Sequence, residues 1–333
     1  YYDAIQTTDF PSMLTAAGYG PDKNDKKLDL VIFDACLEGT LENAYELKDY
    51  ASYFLASPNL VPGNGLDYDD IISVMGDDTD VAKLGKNAVS SYALNYSSIV
   101  EDNTYAWTYT LNRTKGKTIG GTAVTADNVF YTDGSGFGAT LTLMDLSGID
   151  AAASAVNALA AEINKKPAER KKILDGYLKS TSPLGNTFMY CGTYTLSFDT
   201  GFFAYWMDQY GKNNSWPGLS TAAENAETAL SAVIKASWRD GYNSSGTSYW
   251  TYYNSGEKDD GTSFQHHIGS STLGNWFGIA MCGGNNDTHY WYGIAADGVT
   301  AADTSNTYES WYQYLDCSIA YPEWNTMLSH LGD

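Results

Sequence analysis

Apolar positions along the chain follow two alternating periods. Leu28-Asp29-Leu30-Val31-Ile32-Phe33 is a short, nearly continuous apolar run after the polar stretch PDKNDKK. Its length and β-branched content predict a strand buried on both faces, as in a parallel sheet. After Gly39 the period changes. Leu37, Leu41, Ala44 and Tyr45 fall at i, i+4, i+7 and i+8, and Glu38 and Glu42 lie in the first turns, where acids suit the helix dipole. YFLAS then predicts a second strand, and PNLVPGNG a Pro/Gly loop after it. Together these make the strand–helix–strand unit of a parallel sheet with covering helices.

A second unit follows. ATLTLMDL predicts a strand over 139–146, and Ser147 with Asp150 makes a weak capping box for a helix whose stripe is Ile149, Ala153, Val156, Ala160 and Ile163. Another helix is predicted over 79–99, with Val81, Leu84, Ala88 and Tyr92 on one face, and a third over 220–238. The remaining second half is rich in Gly, Ser, Asn and aromatics, with strand-like runs NWFGIAMC and HYWYGIA. The expected class is α/β, with added β-rich elements toward the C-terminus. A soft boundary at KNNSWPG, 212–218, divides the chain into 1–212 and 213–333.

Composition narrows the function classes. With 333 residues, 43% of them hydrophobic, the chain can bury a large core. A formal charge of −21 argues against nucleic acid or an anionic membrane as a partner, since phosphate binding needs Lys and Arg. No run of about 18 apolar residues predicts a membrane span. The 27 Tyr and 9 Trp, with polar-aromatic stretches such as NSSGTSYWTYYNSG, suit a secreted or cell-surface protein. The chain opens on Tyr1 with no initiator Met and no signal-peptide pattern, so a processed chain or a trimmed piece is expected. Cys36, Cys191, Cys282 and Cys317 are too scattered for a disulfide framework or a zinc site.

Cys36 stands apart because it follows the first strand and precedes a helix. Functional groups gather at the carboxyl ends of strands in open parallel sheets, and a helix N-terminus favours a thiolate. From position alone, a nucleophile and a small buried apolar residue fit equally well. Asp34, two residues earlier, reads by itself first as a structural carboxylate bonding nearby backbone N–H groups.

The residues themselves tip the balance. VIFDACLEG, followed by AYELKDYASYFLASPNLVPGNGLDYDDII, closely resembles the catalytic-cysteine segment of the clostripain family of secreted cysteine peptidases. The strong match covers 28–72 and includes Asp-Ala-Cys-Leu-x-Gly and Gly-x-Gly-x-x-Tyr. Weaker echoes occur at LTLMDLSGIDAAASAVNALA and FDTGFFAYWM. The resemblance implies a caspase-like, mostly parallel sheet flanked by helices. It implies an endopeptidase with Cys36 as nucleophile and Asp34 pairing the Arg or Lys side chain at P1. Glu38 departs from the family, where Met or another neutral residue is commoner; a carboxylate beside the thiol would raise its pKa or alter preference.

A peptidase of this type also needs a histidine. The family carries it in a His-Gly segment upstream of the cysteine, whereas this chain holds only His266, His267, His289 and His330, all downstream. The favoured expectation is that the histidine sits on a light chain cut from the same precursor, a zymogen that processes itself after a basic residue; the alternative is that a downstream histidine serves. The prototype's calcium dependence makes calcium conceivable through the resemblance alone, but neither EKDDGT nor GDDTD has defined ligand spacing, and no metal ligands or cofactors are expected. The rival functions are an inactive clostripain-like surface binding protein and a carbohydrate-active protein.

Overall fold

The structure is a computed structural model and describes residues 7–58, 61, 65–76, 79–96, 118–119, 122–123, 140–178, 190–191, 197–242, 248–254, 280–282, 316–328 and 330. In chain order its elements begin with helix α1 (Phe10–Ala16), strand β1 (Leu28–Phe33), α2 (Leu41–Leu47), β2 (Ala51–Ala56), α3 (Tyr68–Ser73) and α4 (Val81–Tyr96). A short antiparallel pair follows, β3 (Thr118–Ile119) and β4 (Thr122–Ala123), then β5 (Thr140–Asp145), α5 (Ile149–Asn164) and α6 (Pro167–Leu178). The rest comprises β6 (Tyr190–Cys191), β7 (Ser197–Asp199), α7 (Thr200–Asn213), α8 (Pro217–Val233), β8 (Ile234–Tyr242), β9 (Ser248–Asn254), β10 (Ala280–Cys282), α9 (Asp316–Ala320) and α10 (Pro322–Leu328).

The main sheet has the order β1-β2-β5-β8-β9, with a smaller sheet β10-β7-β6 beside it. Helices cover both faces of the main sheet, so the expected α/β layering is present. Strand direction differs from expectation. Only β1 and β2 run parallel, while the β2–β5, β5–β8 and β8–β9 pairings are antiparallel, so the described sheet is mixed rather than mostly parallel. A continuous apolar run reports that both faces of a strand are covered. It carries no information on direction, which the connections decide.

Period-2 alternation places side chains on each face. Val31, Phe33, Phe54, Ala56 and Met144 join the cluster under α1, α2, α5 and α8. Leu30, Ile32, Leu55, Leu141, Leu143, Ala236 and Trp238 join the opposite one under α4. There Leu84, Ala88 and Tyr92 are buried as their helical spacing predicts, and Tyr92 meets Trp238 edge to face at 5.8 Å. Each fully buried side chain of this size contributes about 1.5–3 kcal/mol. Gly85 lets α4 settle on β5, because a Cβ there would lie 2.5 Å from Leu143 Cδ1.

Two further expectations change in detail. The helix predicted over 220–238 is α8 followed directly by β8, because Ala236 and Trp238 alternate into the α4-side core and Ser237 turns away to bond Thr142. The cap near Ser147 is Asp145, whose Oδ1 accepts from Ser147 N–H at 3.0 Å across a 3-10 turn that precedes α5. Strand β8 and its neighbour β9 belong to the same sheet as β1, so sheet and core run across the expected division between 212 and 213. NWFGIAMC is described only at β10, and HYWYGIA lies outside the described residues. No described helix is long and apolar enough to cross a membrane.

Helix α9 docks on α2 through one carboxylate. Glu46 is 5% exposed and accepts from Asp316 N–H at 2.6 Å, with Cys317 N–H as a second donor. Burial first, and then the Asp316 charge, pushes the Glu46 carboxyl up to about 7 against the pull of those N–H groups. A raised carboxyl pKa means the folded state holds the proton more tightly than the unfolded chain, whose Glu titrates near about 4.3. Stability therefore falls as pH rises from there toward about 7. Glu227 acts in the same sense, raised to about 7 by burial and by Asp208 and Glu224. Glu46→Gln, which retains an acceptor for the cap, is expected to remove on the order of 1 kcal/mol of the stability loss between about pH 5 and about pH 8. Urea midpoints at the two pH values measure it, and an unchanged pH slope contradicts it.

Candidate active site

Strand β1 stops at Phe33, and residues 34–39 form a turn before Thr40 caps α2 by accepting from Asn43 N–H at 3.1 Å. Leu37 holds φ +67, a left-handed conformation uncommon outside glycine, which bends the chain sharply just after Cys36. The turn is tied to the end of β2, where Gly39 N–H donates to Ser57 O at 2.8 Å. That approach requires glycine, since a Cβ at position 39 would lie 2.5 Å from Pro58 N.

Cys36 is exposed and carries a free thiol. Its Sγ accepts from Val61 N–H at 3.2 Å and donates to Val61 O at 3.7 Å. One peptide unit therefore offers a donor to the thiolate and an acceptor to the thiol. The expected role of a helix N-terminus is not what the geometry provides. Helix α2 is short and begins five residues later, with its cap satisfied by Thr40. The buried-residue alternative for Cys36 is excluded by its exposure.

Asp34 is also exposed, and its Oδ2 accepts from Leu66 N–H at 3.2 Å and from Tyr68 Oη–H at 3.1 Å. Leu30 and Ile32 contribute to the core on the α4 side, which also holds Leu66 and Ile71. Asp34 continues that alternation and meets the same segment. Gly65 lies against the carboxylate with φ +66, and a Cβ there would collide with Asp34 Oδ2. Asp34 and Cys36 do not share a strand face, because the strand ends before Cys36. The loop after β2 brings them together instead, Cys36 at Val61 and Asp34 at Leu66 and Tyr68.

Glu38 is held by helix α2. Its Oε2 accepts from Asn43 Nδ2 at 2.7 Å, and Thr7 Oγ1 in turn donates to Asn43 Oδ1 at 2.9 Å. Burial raises the Glu38 pKa, and the Asn43 hydrogen bond opposes that rise. The carboxylate is thus engaged with Asn43 of α2. Of the histidines, His266, His267 and His289 lie outside the described residues, and His330 follows α10, which packs on α5. Among the described residues no group of three or more His, Cys, Asp and Glu can hold a metal. In GDDTD the described Asp80 caps α4 by accepting from Lys83 N–H at 3.1 Å. EKDDGT lies outside the described residues. The described residues give calcium no fitted site.

The sequence of the clostripain family matches residues 1–311. The chain belongs to that family. Its members are cysteine peptidases, and the chain is a hydrolase of that kind. No curated protein matches it. Among solved structures, a clostripain from Bacteroides thetaiotaomicron in complex with a peptide inhibitor is similar at 14% identity and a TM-score of 0.48, covering 96% of this chain and 99% of that one. A B. fragilis cysteine protease is similar at 15% identity and 0.48, covering 97% and 94%. An inactive zymogen C11 protease from Parabacteroides distasonis is similar at 12% and 0.45, covering 94% and 65%. Membership in the clostripain family rests on the match over 1–311 and not on these distant likenesses.

Gly65, Leu66, Tyr68 and Val61 are the site residues that residue-type reasoning alone passes over. Gly65 and Tyr68 stand in the Gly-x-Gly-x-x-Tyr pattern, which marks their positions but not what they touch. Gly65→Ala is expected to cost about 1–3 kcal/mol, from the positive φ and the displaced Asp34 carboxylate, read by denaturant unfolding. Glu38→Gln is expected to leave the pH dependence of Cys36 alkylation unchanged. A midpoint that moves with this substitution would place the Glu38 charge at the thiol after all.

Proposed function

We propose that this clostripain-family peptidase cleaves peptide bonds after Arg or Lys, with Cys36 as nucleophile and Asp34 as the acceptor for the basic P1 side chain. The supporting observation is the meeting of both side chains at one loop. Cys36 Sγ is exposed beside Val61, and Asp34 lies at Leu66 and Tyr68. In the reaction the Cys36 thiolate attacks the scissile carbonyl carbon, and the C–N bond breaks as the amine leaves with a proton from a histidine. Water, deprotonated by the same histidine, then hydrolyses the thioester.

The histidine comes from a light chain released from the same precursor and retained beside β1. Support lies in the edge of the sheet. β1 pairs with β2 on one side, and among the described residues no strand pairs with its other side, although five of its six side chains are apolar. Such an edge is a template for a further strand, and a parallel one would end beside Cys36. The precursor is a zymogen that cuts itself after a basic residue, and the mature protein is secreted or held at the cell surface, which its acidity and aromatic content suit. Engagement of Glu38 by Asn43 weakens one of the two reasons to read the scaffold as an inactive binding protein, the other being the absence of a histidine upstream of Cys36 in this sequence, and membership in a peptidase family leaves no ground for a carbohydrate-active one.

Intact mass of the product of the whole precursor, before and after an arginyl acyloxymethyl ketone, tests the reading. A single adduct on Cys36 beside a separate smaller chain is expected, and no adduct when that smaller chain is present contradicts it. The Cys36→Ala precursor is expected to stay uncut in pure solution; processing of that variant rules out self-cleavage.

A further inference from the structure

We infer that Tyr68 is a positioning residue for substrate selection, its phenol O–H and the Leu66 N–H together holding Asp34 Oδ2 so that Oδ1 is left to the basic side chain. The inference rests on the reading of Asp34 as the P1 acceptor. Both recorded hydrogen bonds to the carboxylate fall on the same oxygen, Leu66 N–H at 3.2 Å and Tyr68 Oη–H at 3.1 Å. Oδ1 has no recorded hydrogen-bond partner among the described residues.

The support behind Asp34 is itself fixed. Leu66 and Ile71, each 5% exposed, anchor the segment in the core against Leu30 and Ile32 of β1. Tyr68 N–H donates to Leu66 O, and Ile71 N–H to Asp67 O, both at 3.1 Å. Gly65 lies against the same oxygen, where an added Cβ would collide with Asp34 Oδ2. Tyr68 is 46% exposed, so its ring is only half engaged in packing, while its hydroxyl meets the Asp34 carboxylate. Burial and then the Asp34 carboxylate push the phenol pKa up, so it remains a donor. A guanidinium binds a carboxylate through two parallel N–H bonds and needs the carboxylate plane held, whereas an ammonium is a point charge and needs it less. Holding the plane therefore favours Arg over Lys.

The test uses the whole processed enzyme and three peptides that differ only in P1, which is Arg, Lys or the neutral isostere citrulline. Tyr68→Phe keeps the ring and removes the donor. The expected result is a KM for the Arg peptide raised about tenfold and for the Lys peptide about threefold, with kcat and the citrulline peptide unchanged. Equal losses on all three peptides, or no change in the Arg-to-citrulline ratio, overturn the positioning role. Asp34→Asn separates this inference from the reading beneath it. If Asp34→Asn erases the preference for Arg over citrulline and Tyr68→Phe does not reduce it, only the role of Tyr68 fails. If Asp34→Asn leaves the preference intact, the P1 assignment fails and takes this inference with it.

Discussion

The loop after β2 holds the side chains of Asp34 and Cys36, which follow β1, and it does so almost entirely through its backbone. Val61 brackets the Cys36 sulfur with its N–H and its carbonyl, Leu66 N–H takes the Asp34 carboxylate, and Ser57 O accepts from Gly39. Neither strand end could keep this geometry alone. A strand terminus leaves unpaired peptide groups, and here each loop supplies partners for the other. Glycine occupies the two points of closest approach, at 39 against Pro58 and at 65 against Asp34, because a single methyl group at either would force the loops apart.

The layering beneath explains why the loops can be this precise. Both faces of the sheet are packed, so β1 and β2 cannot slide or rotate without moving α1, α2 and α5 on one side and α4 on the other. Residues 65–71 share in that packing through Leu66 and Ile71, which places Tyr68 on a supported segment. Helix α2 links the thiol-bearing turn to a second buried region at its far end. There Glu46 caps α9 amid Asp316, Asp150 and Glu42, with Lys48 as the nearby cation. An excess of acid is tolerated because burial keeps part of it protonated.

An apolar strand at the edge of a sheet is ordinarily a liability, since its free peptide groups invite pairing. In the proposed two-chain peptidase the edge of β1 is where the missing part of the site belongs, and the apolar character of β1 is then a requirement of assembly. Val31 and Phe33 already pack on one face, with Phe10 of α1 meeting Phe33 at 5.0 Å, so only the lateral edge remains available.

Period and punctuation made several elements legible. The stripe Leu84, Ala88, Tyr92 lies where 3.6 residues per turn places it, and Cys36 and Asp34 stand out by their position after an apolar strand and their resemblance to a known motif. What could not be read locally was anything set by a distant partner. The strand β8 inside a predicted helix depends on β5 beside it, and the antiparallel course of most of the sheet depends on connections rather than on side-chain pattern. Glu38, a carboxylate two residues from the thiol in sequence, is bound by Asn43 in the first turn of α2, a pairing the local pattern does not announce. The sequence by itself determined that Asp34 and Cys36 sit at a strand's carboxyl end, because short-range periodicity encodes that placement. Only the tertiary structure decided that Cys36 meets Val61 and Asp34 meets Leu66 and Tyr68, because a hydrogen bond between segments 25 to 34 residues apart leaves no periodic trace in either one.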